Sequence, residues 1–143
     1  GVRMKRLAEG PIRLKDIYPI DPFNNKIMKF QLSGSEIVEL LKKAYTDTKD
    51  CPIFCSGCTY EVYLNEDEIM QDIKVFLPNG KPIKEKSTYS VSLNSYMAGV
   101  YGLSDKHNGE TLELSSNEIL IKHLEDKQTI DYKDISRIKI IAE

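Results

Sequence analysis

The sequence predicts an α+β fold, a mixed sheet with two main helices, and three observations carry that expectation. Five segments alternate apolar and polar residues with the period of two expected of half-buried strands. Two others place apolar residues at helical spacing behind a Ser-x-x-Glu opening, the signature of a reciprocally capped helix start. Strands and helices do not alternate strictly, which argues against a doubly wound parallel sheet. The chain has 143 residues, 41% hydrophobic and 29% charged, enough for one domain, 1–143, with its own core. That composition excludes disorder, collagen and coiled coil, and no internal repeat or low-complexity linker is evident.

Residues 1–25 are broken repeatedly by Gly10-Pro11, Pro19 and Pro22, leaving room for one helical turn at 13–17. Residues 26–32 alternate as the first strand. Ser33 and Glu36 then cap a helix whose stripe is Ile37, Leu40, Leu41 and Ala44, ending at 46–49. Residues 59–64 put Tyr60, Val62 and Leu64 on one face, and 72–77 turn Ile73, Val75 and Leu77 inward. Pro78-Asn79-Gly80 signals a hairpin back toward Pro82 and Ile83. Residues 88–93 form a strand with Tyr89, Val91 and Leu93 inward, Ser115 and Glu118 open a second helix through 125, and 137–141 close on a strand.

Charge and rare residues narrow the function. With 20 Lys and Arg against 22 Asp and Glu the net charge is −2, which argues against a nucleic-acid partner. Residues 1–15 carry a surplus of four positive charges and 61–72 a deficit of five, read mainly as solvated faces. Arg3 is the exception, because its planar fork suits a phosphate. Only His107 and His123 are present, so no histidine-rich metal centre can be assembled; Asp105-x-His107 is a fragment of a two-metal phosphoesterase signature without the remaining ligands. Cys51, Cys55 and Cys58 nominally match the iron–sulfur spacing of radical enzymes, but the chain is too short for that barrel, and the thiols read as small hydrophobes. No serine-nucleophile elbow or phosphate-cradling Walker loop occurs. The catalytic expectation is none.

Two uncharged segments, 51–60 and 87–104, place Phe54 and Tyr101 in turn-like sequence, where aromatic rings could stack on a base. The opening Gly1-Val2-Arg3, without an initiator Met or charged-then-apolar leader, reads as an excised fragment, and no stretch is apolar enough to span a membrane.

Taken together the motifs resemble the C-terminal domain of the 5'-nucleotidase superfamily. Gly1-Val2-Arg3 is similar to its Gly-Gly-Ile/Val-Arg, and Pro22-Phe23-Asn24-Asn25 to its Pro-Phe-x-Asn. Leu32-Ser33-Gly34-Ser35-Glu36-Ile37 resembles its Leu-x-Gly-x-Glu-Leu junction, and Ser56-Gly57 with Tyr60 its Ser-Gly-x-x-Tyr. Thr88-Tyr89-Ser90-Val91 and Asn94-Ser95-Tyr96-Met97 resemble its Thr-Tyr-x-Val and Asn-x-Tyr-Leu. Six motifs in order over about the first hundred residues make the resemblance specific.

The resemblance implies a substrate-recognition domain that binds base, ribose and phosphate. A metallophosphoesterase domain, in cis or as a separate chain, holds two divalent metals and hydrolyses the ester, with substrate between the domains. This chain alone is then expected to be inactive, without a cofactor or metal of its own, and the family implies a periplasmic or cell-surface location. The phosphate role carries to Arg3, stacking to Tyr101 and Phe54, loop contacts to Ser56 and Gly57, and ribose to Asp105. The sequence departs from the family where Pro52-Ile53-Phe54 replaces Phe-Leu-Gln and Gly99-Val100-Tyr101-Gly102-Leu103 replaces Gly-Gly-Asp-Gly-Phe/Tyr. These departures leave a non-nucleotide phosphate ester as an alternative substrate. The alternative reading of the chain is a stand-alone nucleoside or small-ligand binding module.

Overall fold

A computed structural model describes residue 3 and residues 7–142. Its elements are α1 (Leu14–Ile17), β1 (Lys26–Ser33), α2 (Gly34–Thr48), β2 (Thr59–Leu64), β3 (Met70–Phe76), β4 (Thr88–Asn94), α3 (Ser95–Val100), α4 (Leu103–Lys106), β5 (Glu110–Ser115), α5 (Ser116–Lys127) and β6 (Ile138–Ala142). The α+β class holds, with two three-stranded sheets, ordered β4-β1-β5 and β3-β2-β6. The chain divides into two compact units, Gly1–Phe30 with Val91–Tyr132 and Gln31–Ser90 with Lys133–Glu143.

Every strand of the first sheet runs directly into a helix, and the chemistry of the junction repeats. Ser33 Oγ accepts from the Glu36 amide at 3.3 Å while the Glu36 carboxylate accepts from the Ser33 amide at 2.7 Å. Ser115 and Glu118 do the same at 3.4 and 2.7 Å. Asn94 caps α3, its Oδ1 accepting from Met97 N at 2.8 Å. Each arrangement satisfies amide donors that a helix start leaves orphaned. Residues 32–37 and 114–119 share Leu-Ser-x-x-Glu-Ile, a short internal repeat that corrects the expectation of none.

The second unit contains the hairpin β2–β3, antiparallel with Tyr60 opposite Val75 and Val62 opposite Ile73, and β6 parallel to β2. Period-two alternation decides its core: Tyr60, Val62, Leu64, Ile73 and Val75 are buried, joined by Leu41 and Ala44 from α2. The Lys42 ammonium meets Asp72 on β3 at 2.8 Å and holds that carboxyl below its usual range. α2 ends where Lys49 turns left-handed at φ 52°, within the expected span. The turn at 78–80 forms, with Gly80 N donating to Leu77 O at 2.8 Å. Its return leg is a single bridge, Phe76 to Pro82, because proline cannot donate to a ladder.

In the first unit Ile17, Phe30, Ala98 and Leu103 are buried. β5 pairs antiparallel with β1, Met28 opposite Thr111, with the Lys26 ammonium donating to Glu113 O at 2.5 Å.

Candidate functional site

Arg3, Tyr101 and Asp105 belong to the first unit, whereas Phe54, Ser56 and Gly57 belong to the second. Within the first, Arg3 N donates to Ile20 O at 2.8 Å, which fixes the backbone from which the side chain extends. Its guanidinium lies 5.2 Å from the centroid of Phe23, a ring that is itself 48% exposed. Such a cation–π contact at an exposed place is worth about 0.5–1 kcal/mol, enough to bias the rotamers of a long side chain. The charged head stays at the surface. Phe23 is positioned in turn by a local device. Its amide donates to Asp21 Oδ1 at 3.3 Å, and Asn24 takes a positive φ of 52°, which asparagine tolerates better than most residues. Asp21 also accepts a hydrogen bond from Ser116 Oγ at the start of α5. In the sequence Phe23 stands out only as part of the Pro-Phe-x-Asn motif; the pairing of that aromatic with an N-terminal arginine is the signal that singles it out.

Tyr101 caps the C-terminal end of α3, its amide donating to Met97 O at 3.0 Å, and the ring is half-buried. The following Gly102, at φ 71°, reverses the chain into α4. A side chain there would be strained, so glycine is required for Tyr101 and Asp105 to sit on successive short helices. Asp105 is exposed in the first turn of α4. Segment 95–106 is thus two short helices rather than the loop that its glycines imply, and Asn94 with the amide three residues on is the missed signal.

In the second unit the segment between α2 and β2 presents Phe54, a residue 80% exposed. Alternate residues point the other way: Cys51 and Ile53 are buried, so an inward-outward rhythm pushes Phe54 into solvent. The base of this loop is tied at three points. Cys51 N donates to Asp50 Oδ1 at 2.7 Å, Tyr60 Oη donates to Ile53 O at 2.9 Å, and Arg137 Nη1 donates to Cys55 O at 2.9 Å. Burial, followed by the neighbouring Cys51, pushes the Tyr60 phenol well above its ordinary value. Tyr60 therefore stays a neutral donor. Ser56 and Gly57 form the bend, with Gly57 at φ 82° and nothing near the place a side chain would occupy.

The cysteines correct one expectation in part. Cys51 is buried, as a small hydrophobe should be, but Cys55 and Cys58 are only half-buried. Among the described residues no group of three or more His, Cys, Asp and Glu side chains is arranged to hold a metal ion. His123 Nε2 is 2.9 Å from Tyr132 Oη on the exposed face of α5. A cleft of about 320 Å³ along residues 7–16 includes none of the six candidate residues. No helix among the described residues is long and apolar enough to cross a membrane.

Comparison with known proteins agrees with the fold. Endonuclease YhcR of Bacillus subtilis is 28% identical over 102 residues, covering 71% of this chain and 8% of that protein. A 5'-nucleotidase of Vibrio parahaemolyticus is 25% identical over 138 residues, covering 94% of this chain and 24% of that one. The chain therefore spans less than a quarter of these curated relatives. The crystal structure of a 5'-nucleotidase precursor from Thermus thermophilus shares the fold, with a TM-score of 0.81 at 20% identity, over 100% of this chain and 30% of that one. The Haemophilus influenzae NAD nucleotidase superposes with a TM-score of 0.72 at 22% identity, covering 92% and 27%. The family model for the 5'-nucleotidase C-terminal domain matches residues 1–104, and with the fold in agreement the chain belongs to that family.

Proposed function

We propose that residues 1–143 are the substrate-recognition domain of a 5'-nucleotidase-like phosphohydrolase, binding base, ribose and phosphate of a nucleotide or related ester. The observation that carries this reading is the exposed Arg3 guanidinium held against Phe23, a preset cation to which the family resemblance assigns the phosphate. A planar fork accepts two phosphate oxygens at once, and its partial preorganisation reduces the entropy lost on binding. Phe54 and Tyr101 supply the stacking surfaces, Ser56 and Gly57 the bend that carries Phe54, and Asp105 the acceptor for a ribose hydroxyl. Exposure of Phe54 supports its role, because a large apolar side chain facing water is stabilised when a base covers it.

Hydrolysis and the two divalent metals are assigned to a metallophosphoesterase domain, in cis or as a separate chain. The described residues here do not fit such a metal centre. By family analogy the enzyme works in the periplasm or at the cell surface.

The test is direct. Purified chain supplied with Mg²⁺, Mn²⁺ or Zn²⁺ should release no phosphate from AMP, yet should bind adenosine by calorimetry. Phe54→Ala and Tyr101→Ala should each weaken adenosine binding about 5- to 150-fold, the range of one lost stacking partner. Metal-dependent turnover by the chain alone, or adenosine binding indifferent to both substitutions, would overturn the proposal.

A further inference from the structure

Cys51, Cys55 and Cys58 lie on one loop and its exit into β2, and none of the roles above uses a thiol. The chain bends at Ser56 and Gly57, and the φ of 82° at Gly57 is that of the third position in a type II turn. A β-turn holds the Cα atoms of its first and fourth residues within about 7 Å, overlapping the roughly 4.4–6.8 Å span a disulfide needs. Those two positions are Cys55 and Cys58, and each thiol is the strongest influence on the titration of the other. Both are half-buried and reachable, whereas Cys51 is buried. Arg137, which also donates to Cys55 O at 2.9 Å, places a positive charge beside the pair. The hydrogen bond from Cys55, with Arg137 assisting against burial, pulls the Cys58 thiol down to about 7. The same bond, reinforced by burial, pushes the Cys55 thiol up.

We propose that Cys55 and Cys58 form a reversible dithiol–disulfide pair, oxidised by a low-molecular-weight disulfide, whose closed form clamps the loop carrying Phe54, Ser56 and Gly57. The Cys58 thiolate attacks one sulfur of oxidised glutathione; that S–S bond breaks, and one glutathione leaves as a thiolate and takes a proton. Cys55 gives its proton to solvent and attacks Cys58 Sγ, expelling the second glutathione. Two protein thiols are oxidised by two electrons and one glutathione disulfide is reduced to two thiols. The attacking thiol has a pKa near ambient pH, where thiolate fraction and nucleophilicity are best balanced. The proposal does not depend on which ligand the loop binds.

The full chain, equilibrated across reduced and oxidised glutathione mixtures and quenched with maleimide, tests it by intact mass and peptide mapping. At the oxidising end one thiol, Cys51, should remain labelled, with no glutathione adduct and with Cys55 linked to Cys58. Cys51→Ala should still close, whereas Cys55→Ala should carry glutathione on Cys58. Amide exchange across residues 53–58 should slow about tenfold to twentyfold on oxidation, as closing a short ring restricts the opened loop. Three labelled thiols in the wild-type chain across the whole series, a disulfide that includes Cys51, or loop exchange unchanged by oxidation would each overturn the proposal.

Discussion

Replacing Gly34 with alanine sets local propensity against packing, and the structure says which wins. Gly34 is the first residue of α2, and alanine is favoured over glycine by about 1 kcal/mol within a helix. A Cβ at Gly34, however, would overlap the Lys84 carbonyl oxygen and come within 2.8 Å of its carbon and 3.1 Å of Glu85 Cα. These are backbone atoms. The segment cannot swing aside freely, because Gly34 N donates to Ser87 O at 3.0 Å and Ser35 N to Glu85 O at 3.1 Å. Relieving the overlap breaks one of these bonds, about 1 kcal/mol net, and adds an overpacking cost of about 1–3 kcal/mol. After the propensity gain, Gly34→Ala should destabilise the chain by about 1–3 kcal/mol, a fall in Tm of roughly 3–15 °C. Urea unfolding followed by far-UV circular dichroism measures it, provided the slope with denaturant is unchanged. Gly99→Ala is the internal control: Gly99 is helical with nothing within 4 Å of the added methyl, so the effect should be neutral to about 1 kcal/mol stabilising. A Gly34→Ala protein as stable as the parent would refute the close approach, and with it the reason for glycine in the family's junction motif.

Three more expectations follow from particular groups. Hydrogen bonds from the Ser115 amide and then its hydroxyl hold the Glu118 carboxyl below its ordinary value. A depressed carboxyl contributes stability above its unfolded pKa, about 4.3, and loses it as pH falls through the folded value. The stability gap between wild type and Glu118→Gln should therefore narrow on acidification below pH 4, and a gap that widens would contradict the cap. Alkylation of Cys58 by iodoacetamide in the reduced chain should have a midpoint near pH 7, moving upward in Cys55→Ala, which removes the neighbouring thiol that lowers it most. Phe23→Leu keeps an apolar side chain but removes the ring beneath Arg3, so binding of AMP should weaken a few-fold while adenosine is unaffected, read by calorimetry.

Much of the fold was legible because its elements announce themselves chemically. Ser33-x-x-Glu36 and Ser115-x-x-Glu118 specify helix starts through bonds within four residues, and both formed as expected. Alternation across 59–64 identified the buried face of β2, since Tyr60, Val62 and Leu64 share one side and all three are buried. β5 was missed because its apolar alternation is only two residues long, Leu112 and Leu114, and the strand stays largely exposed, with only Leu112 and Ser115 removed substantially from water. α3 and α4 were hidden by Gly99 and Gly102, which read as loop punctuation although one lies in a helix and the other links two. Of the candidate site, the exposure of Phe54 followed from its turn-like setting, but the ring under Arg3 did not. That contact joins residues twenty apart through an irregular segment in which no periodicity points to a partner.

Calorimetric titration of the chain with AMP and with adenosine, repeated with Arg3→Ala, tests the central claim most directly. The account predicts that AMP binds more tightly than adenosine and that Arg3→Ala erases the difference, about tenfold or more for a charge-assisted hydrogen bond to phosphate, while leaving adenosine unchanged. Binding of neither ligand, or an AMP preference that survives Arg3→Ala, would contradict it.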